Sequence, residues 1–564
     1  MLTALKDLGE ILLKKKQKSP VDILIENPDS NGTYKIVWAL EFDKDLHFQN
    51  IGVEEFKAES PHLYLYKRAS GSNAPDFSPT SRVTEPQKTF TKKVLKWFEN
   101  HKEVPGIEKI YNELLKNQDA ILKRLDELYK QTKENKILTI KIDGKYLYEI
   151  EEPSFKKILL EDYLSKIKEI DKKNGVCSVC GEKKEEVFTT SLIYKFYTLD
   201  KECYITGGFN KKEAWKNFPI CEDCFLKIDL AKKYVEEHLR FSFYGKTYYL
   251  IPKMILNVPQ ALEEINEILS SEEKIQKLTN EQRNTITGDK EEILSILKDY
   301  KDVVSFYFLF LKKDNAAERI LLFIEDVFPS RIHTIFDTKA KVDRVFQENY
   351  TFGKLNTFLK DFDRLFFEII DKIFRGGRVD SSTLLQIFNK KIQDEFLNGK
   401  KFQETTTDAL MNIKFFEELG LLHSEEKKME DTKFDRVYEK VGKSLNTPAK
   451  KGVFLLGALT QMLLNIQGHE RGSAPFIKSL KGLKMNEDDI KGLLAKVMNK
   501  LMEYDRFDKG KQELAQEIAK NFLSQEKFGL TVDEINFYFA AGMALYRDIA
   551  NILYEEKDEK SETL

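Results

Sequence analysis

The chain has 564 residues, 41% hydrophobic and 12% aromatic with 40 Phe and 23 Tyr, enough for roughly three to five domains of ~150 residues with well-built cores. Its 91 Lys and Arg nearly cancel 93 Asp and Glu, leaving a net charge of −2, so a polyanion site must come from local segregation of charge and not from a global field. Five cysteines fit a reducing cytosol better than a disulfide framework, and the longest apolar run, residues 303–311, is too short to span a bilayer; a soluble cytoplasmic protein without membrane partners is expected.

Residues 1–17 carry an amphipathic helical pattern ending in three lysines, where positive charge suits the negative end of the helix dipole. Lys6 and Glu10 interrupt its apolar run, so it has no signal-peptide core. Residues 21–25 and 34–42 read as a hairpin around a polar turn at 27–32, and residues 63–66 as a third strand. A Gly-, Ser- and Pro-rich loop follows at 67–82. From 61 to 96 there are seven basic residues against two acids, Asp76 and Glu85. Small hydroxyl and amide donors among clustered cations suit a phosphate or DNA backbone. The candidate contacts are Lys67, Arg68, Ser70, Gly71, Ser72, Asn73, Ser78, Thr80, Arg82 and Lys88, with Asn73 and Arg82 the choices for reading bases. A solvated loop lying over a helix is the competing reading.

Residues 91–135 and 154–172 read as mostly helical, separated by a hairpin turning at Asp143-Gly144. The strongest motif comes next. Cys177 and Cys180 form one C-x2-C knuckle; Cys221 and Cys224 form a second after 40 intervening residues. Two such knuckles aim four thiolates at one tetrahedral zinc ion. Gly175 and Gly181 relax the first turn, and Pro219 stiffens the approach to the second. A four-thiolate site leaves no open position for water, which predicts structural zinc. Cys203 inside the insert reads as a small buried hydrophobe.

Beyond the cassette, residues 225–239 read as a helix, 241–251 as a strand pair, 257–300 as charged and helical, and 303–312 with 318–327 as strands. From about 349 the strand signal disappears. Helical periodicity runs over 355–373, 382–397 and 407–419, and Arg375-Gly-Gly-Arg378 reads as a helix–helix turn. Thr447-Pro448 marks a helix start, Gly452 and Gly457 permit close approach, and Thr531-Val-Asp-Glu534 is a capping box for a helix through 554. From 440 to 484 eight basic residues face one acid, Glu470. Lys443, Lys450, Lys451, Arg471 and Lys478 on this helical face are a second set of candidate nucleic-acid contacts, with an ordinary surface as the competing reading. The expected fold is an α+β multidomain chain: mixed α/β N-terminal and middle regions with a four-cysteine zinc cassette, then an all-helical C-terminal bundle. The expected divisions are 1–170, 171–230, 231–348, a helical connector at 349–428 and the bundle at 429–564.

No enzyme signature emerges. The phosphate loop G-x4-G-K-[ST] and the H-E-x-x-H metal motif are absent, and no His is followed by Asp among the seven histidines. Pro219 lies one residue too far from Cys221 for the P-C-x-x-C half of a zinc deaminase signature. Glu487-Asp488-Asp489 reads as the acidic start of a helix.

Three features in order along the chain resemble one known family: residues 64–80 followed by Lys88-Thr-Phe90, the paired knuckles, and the C-terminal stretches 452–457, Gln467, Pro475-Phe476 and 537–542. The chain resembles the large subunit of the type I-B CRISPR Cascade surveillance complex, the Csh-subtype family. The resemblance implies a non-catalytic subunit near the 5′ handle of the CRISPR RNA. Such a subunit recognises the target-adjacent motif in duplex DNA, helps open it and guides the displaced strand. RNA pairing reads sequence while protein reads a few base edges and the backbone. The implied partners are the CRISPR RNA, target duplex, displaced single strand, backbone and handle-binding subunits, and a trans-acting helicase-nuclease. The family also makes its bundle separately as a small subunit from an internal start. Met429 lies at the expected boundary, and an ordinary linker methionine is the other reading. A zinc-stapled interaction scaffold, or a zinc-containing nuclease, are the alternatives from other classes.

Overall fold

The computed structural model describes residues 1–16, 19–29, 32–69, 74–167, 171–189, 193–194, 196, 211–256, 259–270, 298, 302–314, 317–399, 401–423 and 432–554. Two compact units result: Met1–Leu239 with Lys313–Arg319, and Arg240–Lys312 with Ile320–Leu564.

The first unit starts with helix α1 (Leu2–Lys16), followed by the short helix α2 (Pro20–Leu24). Residues 21–25 are therefore not a strand. Ser19 and Asp22 close a capping box around Pro20 at the first helical turn, and this local chemistry overrides the β-branched pattern. Strand β1 (Tyr34–Phe42) pairs instead with β2 (Phe48–Glu55), antiparallel, and with β4 (Asn135–Ile142), parallel. β1 is central because Val37, Trp38, Ala39 and Leu40 are buried on both faces. β2 escaped the sequence reading because it is a polar edge strand with one buried hydrophobic, Ile51. Residues 63–66 are likewise no strand: Pro61 starts a 3-10 turn over Pro61–Tyr64, and Leu65 takes φ +50°. The sheet runs β2-β1-β4 and on to β3 (Ser81–Arg82), with β5 (Lys145–Tyr146) also on β4. The β4–β5 hairpin turns where expected, with Asp143 and Gly144 both at positive φ.

Helix α3 (Pro86–Lys88) runs through a π-helical stretch, Thr89–Leu95, into α4 (Lys96–Asn100). Helices α5 (Ile107–Lys116), α6 (Gln118–Gln131) and α7 (Phe155–Ile167) follow. In α5 the buried residues Ile107, Ile110 and Leu114 keep helical spacing. A three-stranded sheet of β6 (Asp171–Val176), β7 (Lys183–Thr189) and β8 (Pro219–Ile220) leads into α8 (Glu222–His238), which packs along α1. Cys203 lies outside the described residues.

The second unit opens with a four-stranded sheet formed by β9 (Arg240–Phe243), β10 (Lys246–Met254), β11 (Val304–Asp314) and β12 (Ala317–Val327) in the order β12-β11-β10-β9, with α9 (Pro259–Ser270) between β10 and β11 in sequence. Aromatic side chains tie this sheet to helices: Phe308 stacks on Phe374 at 5.1 Å, and Phe310 meets Phe367 edge-on at 5.4 Å. From Pro329 onward all regular structure described is helical. The helices are α10 (Pro329–Phe346), α11 (Phe352–Leu359), α12 (Asp363–Arg375), α13 (Ser381–Asn398), α14 (Phe402–Glu418), α15 (Asp435–Val441), α16 (Pro448–Arg471), α17 (Glu487–Glu503), α18 (Lys509–Leu523), α19 (Val532–Ala544) and α20 (Tyr546–Tyr554). Two expected single helices are thus each a pair, α11 with α12 and α19 with α20. The Thr447 cap, the Thr531 capping box and the acidic start at Glu487 form as expected.

α16 is the hub. Its residues from Gly452 to Thr460 are all buried, so it is apolar all round and not amphipathic. It crosses α19 at backbone contact: a Cβ on Gly457 would meet the Phe539 carbonyl at 2.0 Å, and one on Gly542 the Phe454 carbonyl at 1.8 Å. The connector helices join the same packing. Asn389 Nδ2 donates to the Asp533 carbonyl at 2.7 Å, and Gln393 Nε2 to the Leu483 carbonyl at 2.8 Å. The buried Glu417 carboxylate accepts from the Lys443 and Ser444 backbone N–H groups. Met429 and the segment 424–431 lie outside the described residues.

Candidate functional site

The two knuckles are built from different elements. Cys177 follows β6 directly, and Gly181, at φ +74°, lets the turn close with its N–H on the Cys177 carbonyl at 2.9 Å. Gly175 acts differently from expectation. It sits in β6, paired with Lys184, and a Cβ there would strike Val187 Cγ2 at 2.2 Å, so close packing requires the glycine. The second knuckle straddles the start of α8, with Cys221 as its N-cap and Cys224 in its first turn. Ser178 N–H donates to the Pro219 carbonyl at 2.7 Å, joining the knuckles, while Phe218 holds φ +59° before Pro219.

This geometry brings the four sulfurs within 4.8 Å of one another, with Cys177, Cys221 and Cys224 buried and Cys180 exposed. A tetrahedral ion with ~2.3 Å metal–sulfur bonds needs sulfurs ~3.8 Å apart, so the cluster can hold one. Backbone N–H groups of Val179 and Cys221 both point at Cys177 Sγ at 3.4 Å, the donor set that a thiolate accepts. Hydrogen bonding between the two thiols of the second knuckle holds Cys221 well below the usual thiol range and pushes Cys224 above it. Among the described residues this is the one group of three or more such ligands close enough for a metal ion.

The 67–82 loop turns much of its predicted donor set inward. Phe77 N–H closes its base on the Lys67 carbonyl at 2.9 Å. Lys67 is buried, its ammonium on Glu26 and over the Tyr163 ring, and burial together with the Lys233 charge lowers its pKa. Ser78 and Thr80 are buried; the Thr80 hydroxyl donates to the Tyr64 carbonyl at 2.6 Å and lies 2.6 Å from that of Thr139. Arg82 Nε donates to the Pro28 carbonyl at 2.9 Å, with its guanidinium over Tyr34 and Tyr66. Arg68 and Lys88 are exposed, Lys88 pairing with Glu85 at 2.8 Å. Ser70, Gly71, Ser72 and Asn73 lie outside the described residues. The residue that organises the loop is Asp76, 3% exposed, which accepts from Ala69 N–H, Ser81 Oγ and Lys93 Nζ. Its signal in the sequence is a lone acid between Pro75 and Phe77 in an otherwise basic stretch.

The second basic set is also partly neutralised. Lys450 pairs with Glu534 at 3.2 Å, Lys440 with Asp548 at 2.9 Å, and Lys481 with Asp489 at 2.6 Å. Lys451 lies over the Tyr438 ring and Arg471 over Tyr504. Lys443, Arg471 and Lys478 are exposed. The acids that balance this stretch come from later in the chain, so its local charge excess is smaller in space than in sequence. No helix among the described residues is long and apolar enough to cross a membrane.

Comparison with known families covers the chain in three consecutive pieces. The N-terminal domain of CRISPR-associated protein TM1802 matches residues 1–161, its central domain residues 174–327 and its C-terminal domain residues 350–557. Both knuckles fall within the central-domain match. No match is found among curated proteins. The chain belongs to the CRISPR-associated protein TM1802 family, and its role lies in a CRISPR system.

Proposed function

We propose that the chain is the non-catalytic large subunit of an RNA-guided type I-B Cascade complex. It contacts duplex DNA at the target-adjacent motif, aids strand opening, guides the displaced strand and recruits a separate helicase-nuclease. The observation that carries this reading is the match of all three family domains, in order, along one chain. Zinc is the ion the four thiols suit, as a closed structural site. Duplex contact falls to the outward cations beside the pinned loop, Arg68 and Lys88, and strand contact to Lys443, Arg471 and Lys478.

The test uses the complex assembled on CRISPR RNA. Neutralised phosphates make log K fall with log salt at about 0.9 per contact. Arg68→Ala with Lys88→Ala should therefore weaken target capture and flatten that slope by about two contacts, with metal content unchanged. Capture that does not respond to salt would sink the DNA role.

A zinc-stapled interaction scaffold is the second reading. It is favoured by the inward commitment of Lys67, Ser78, Thr80 and Arg82, whose polar atoms serve the fold. Unaltered salt dependence in the double variant, with loss of a neighbouring subunit from the complex, would select it.

A further inference from the structure

The helical unit carries a groove that none of the foregoing uses. It measures about 530 Å³ and lies where α13, α14 and α16 meet the 3-10 turn Pro475–Leu480. Its apolar wall includes Phe396, Phe402 and Ile477. Phe396 and Phe402 meet edge-on at 5.2 Å, and Phe402 is only half-buried. Ile477 is 39% exposed. Large apolar side chains left at a concave surface mark a binding site more often than isolated ones do.

The polar groups of the groove narrow the occupant. Gln403, Gln461 and Asn465 contribute amides. Gln461 Nε2 donates to Asn465 Oδ1 at 2.8 Å, a bond that leaves an acceptor on Gln461 and a donor on Asn465. The leucine-like face of an amphipathic helix would cover those amides without meeting them, at the cost of unsatisfied polar groups. A nucleobase edge offers both a donor and an acceptor, while its faces suit the apolar wall. The surrounding charge points the same way. The segment from Arg471 to Lys484 carries four basic residues and no acid. Arg471, Lys478 and Lys484 are exposed, and Lys401 at the wall pairs with Glu404 at 3.5 Å.

We infer that this groove seats bases of single-stranded DNA, with the 471–484 cations holding the flanking phosphates. The inference rests on the single-strand role proposed above and gives it a place: bases enter between α14, α16 and the 3-10 turn, and contact is insensitive to sequence because amides and apolar walls accept any base.

The experiment measures anisotropy of a fluorescein-labelled oligothymidylate of ~12 nucleotides, and of an abasic strand of the same length, on the full chain. The base-bearing strand should bind on the order of tenfold more tightly. Ile477→Glu should erase most of that preference, and Asn465→Ala, at an exposed position, should reduce it several-fold; thermal melts establish that both variants fold. Equal affinity for the two strands, falling together with salt, would overturn the groove assignment and leave the single-strand role standing. Failure to bind either strand would remove both. If Ile477→Glu leaves the base preference intact but releases a subunit from the assembled complex, the groove docks protein and the inference is wrong.

Discussion

His101 is gripped on both ring nitrogens. Nε2 lies 2.8 Å from the Asp162 carboxylate and Nδ1 2.7 Å from the Trp97 carbonyl, so both contacts are fully made only by the protonated ring. Burial by itself lowers the pKa of this histidine, but the hydrogen bonds and charge of its two partners outweigh it and the net shift is upward from 6.5. The folded chain therefore holds the proton more tightly than the unfolded one. The contact contributes fully below the unfolded value of ~6.5 and fades as pH rises through the higher folded value. Stability of the first unit should fall over that window, and Asp162→Asn should flatten the fall. Superimposable pH profiles of denaturant midpoints for the two proteins would rule this out. Asp76 teaches a related lesson: the acid that looked like an exception in a basic loop is the group around which that loop is built.

At the scale of elements, glycine positions separate close packing from mere permissiveness. Gly542 in α19 and Gly492 in α17 are both helical, yet a Cβ meets backbone at 1.8 Å in the first and nothing within 4 Å in the second. Gly542→Ala must push α16 and α19 apart and should cost about 1–3 kcal/mol or more. Gly492→Ala should stabilise by about 0.5–1 kcal/mol, since alanine loses less backbone entropy in a helix. Chemical denaturation of the two variants checks the opposite signs; a shared sign would mean that the α16–α19 crossing is looser than described. Gly9 makes the corresponding contact in the first unit, where a Cβ would lie 2.0 Å from the Lys227 carbonyl of α8.

For the molecule as a whole, that last contact changes what the four-cysteine cluster holds together. The cysteines join the β6–β7 turn to the start of α8, and α8 carries α1 on its flank. The two knuckles are therefore tied, through α8, to the N-terminal helix of the first unit. Where ion binding requires the folded ligand set, its binding energy adds to folding energy. Chelation should raise hydrogen exchange in Leu2–Lys16 and Glu222–His238 while Pro448–Arg471, in the other unit, stays protected. Uniform loss of protection across both units would contradict this.

The elements that could be read from sequence are those with local causes. Paired C-x2-C knuckles, the Thr447 and Thr531 caps, the Asp143-Gly144 turn and the helical C-terminal region depend on spacing, capping and backbone conformation within a few residues. The family resemblance rested on the same kind of ordered local motif, and the domain matches uphold it. Tertiary structure alone decided the rest, because it depends on partners distant in sequence. The parallel pairing of β1 with β4 spans about a hundred residues of chain. The acids that neutralise Lys67, Lys440 and Lys450 are Glu26, Asp548 and Glu534, none of them in the same stretch as its lysine. A count of charges along the chain shows where cations are made; only the packing of distant elements shows which of them still face outward.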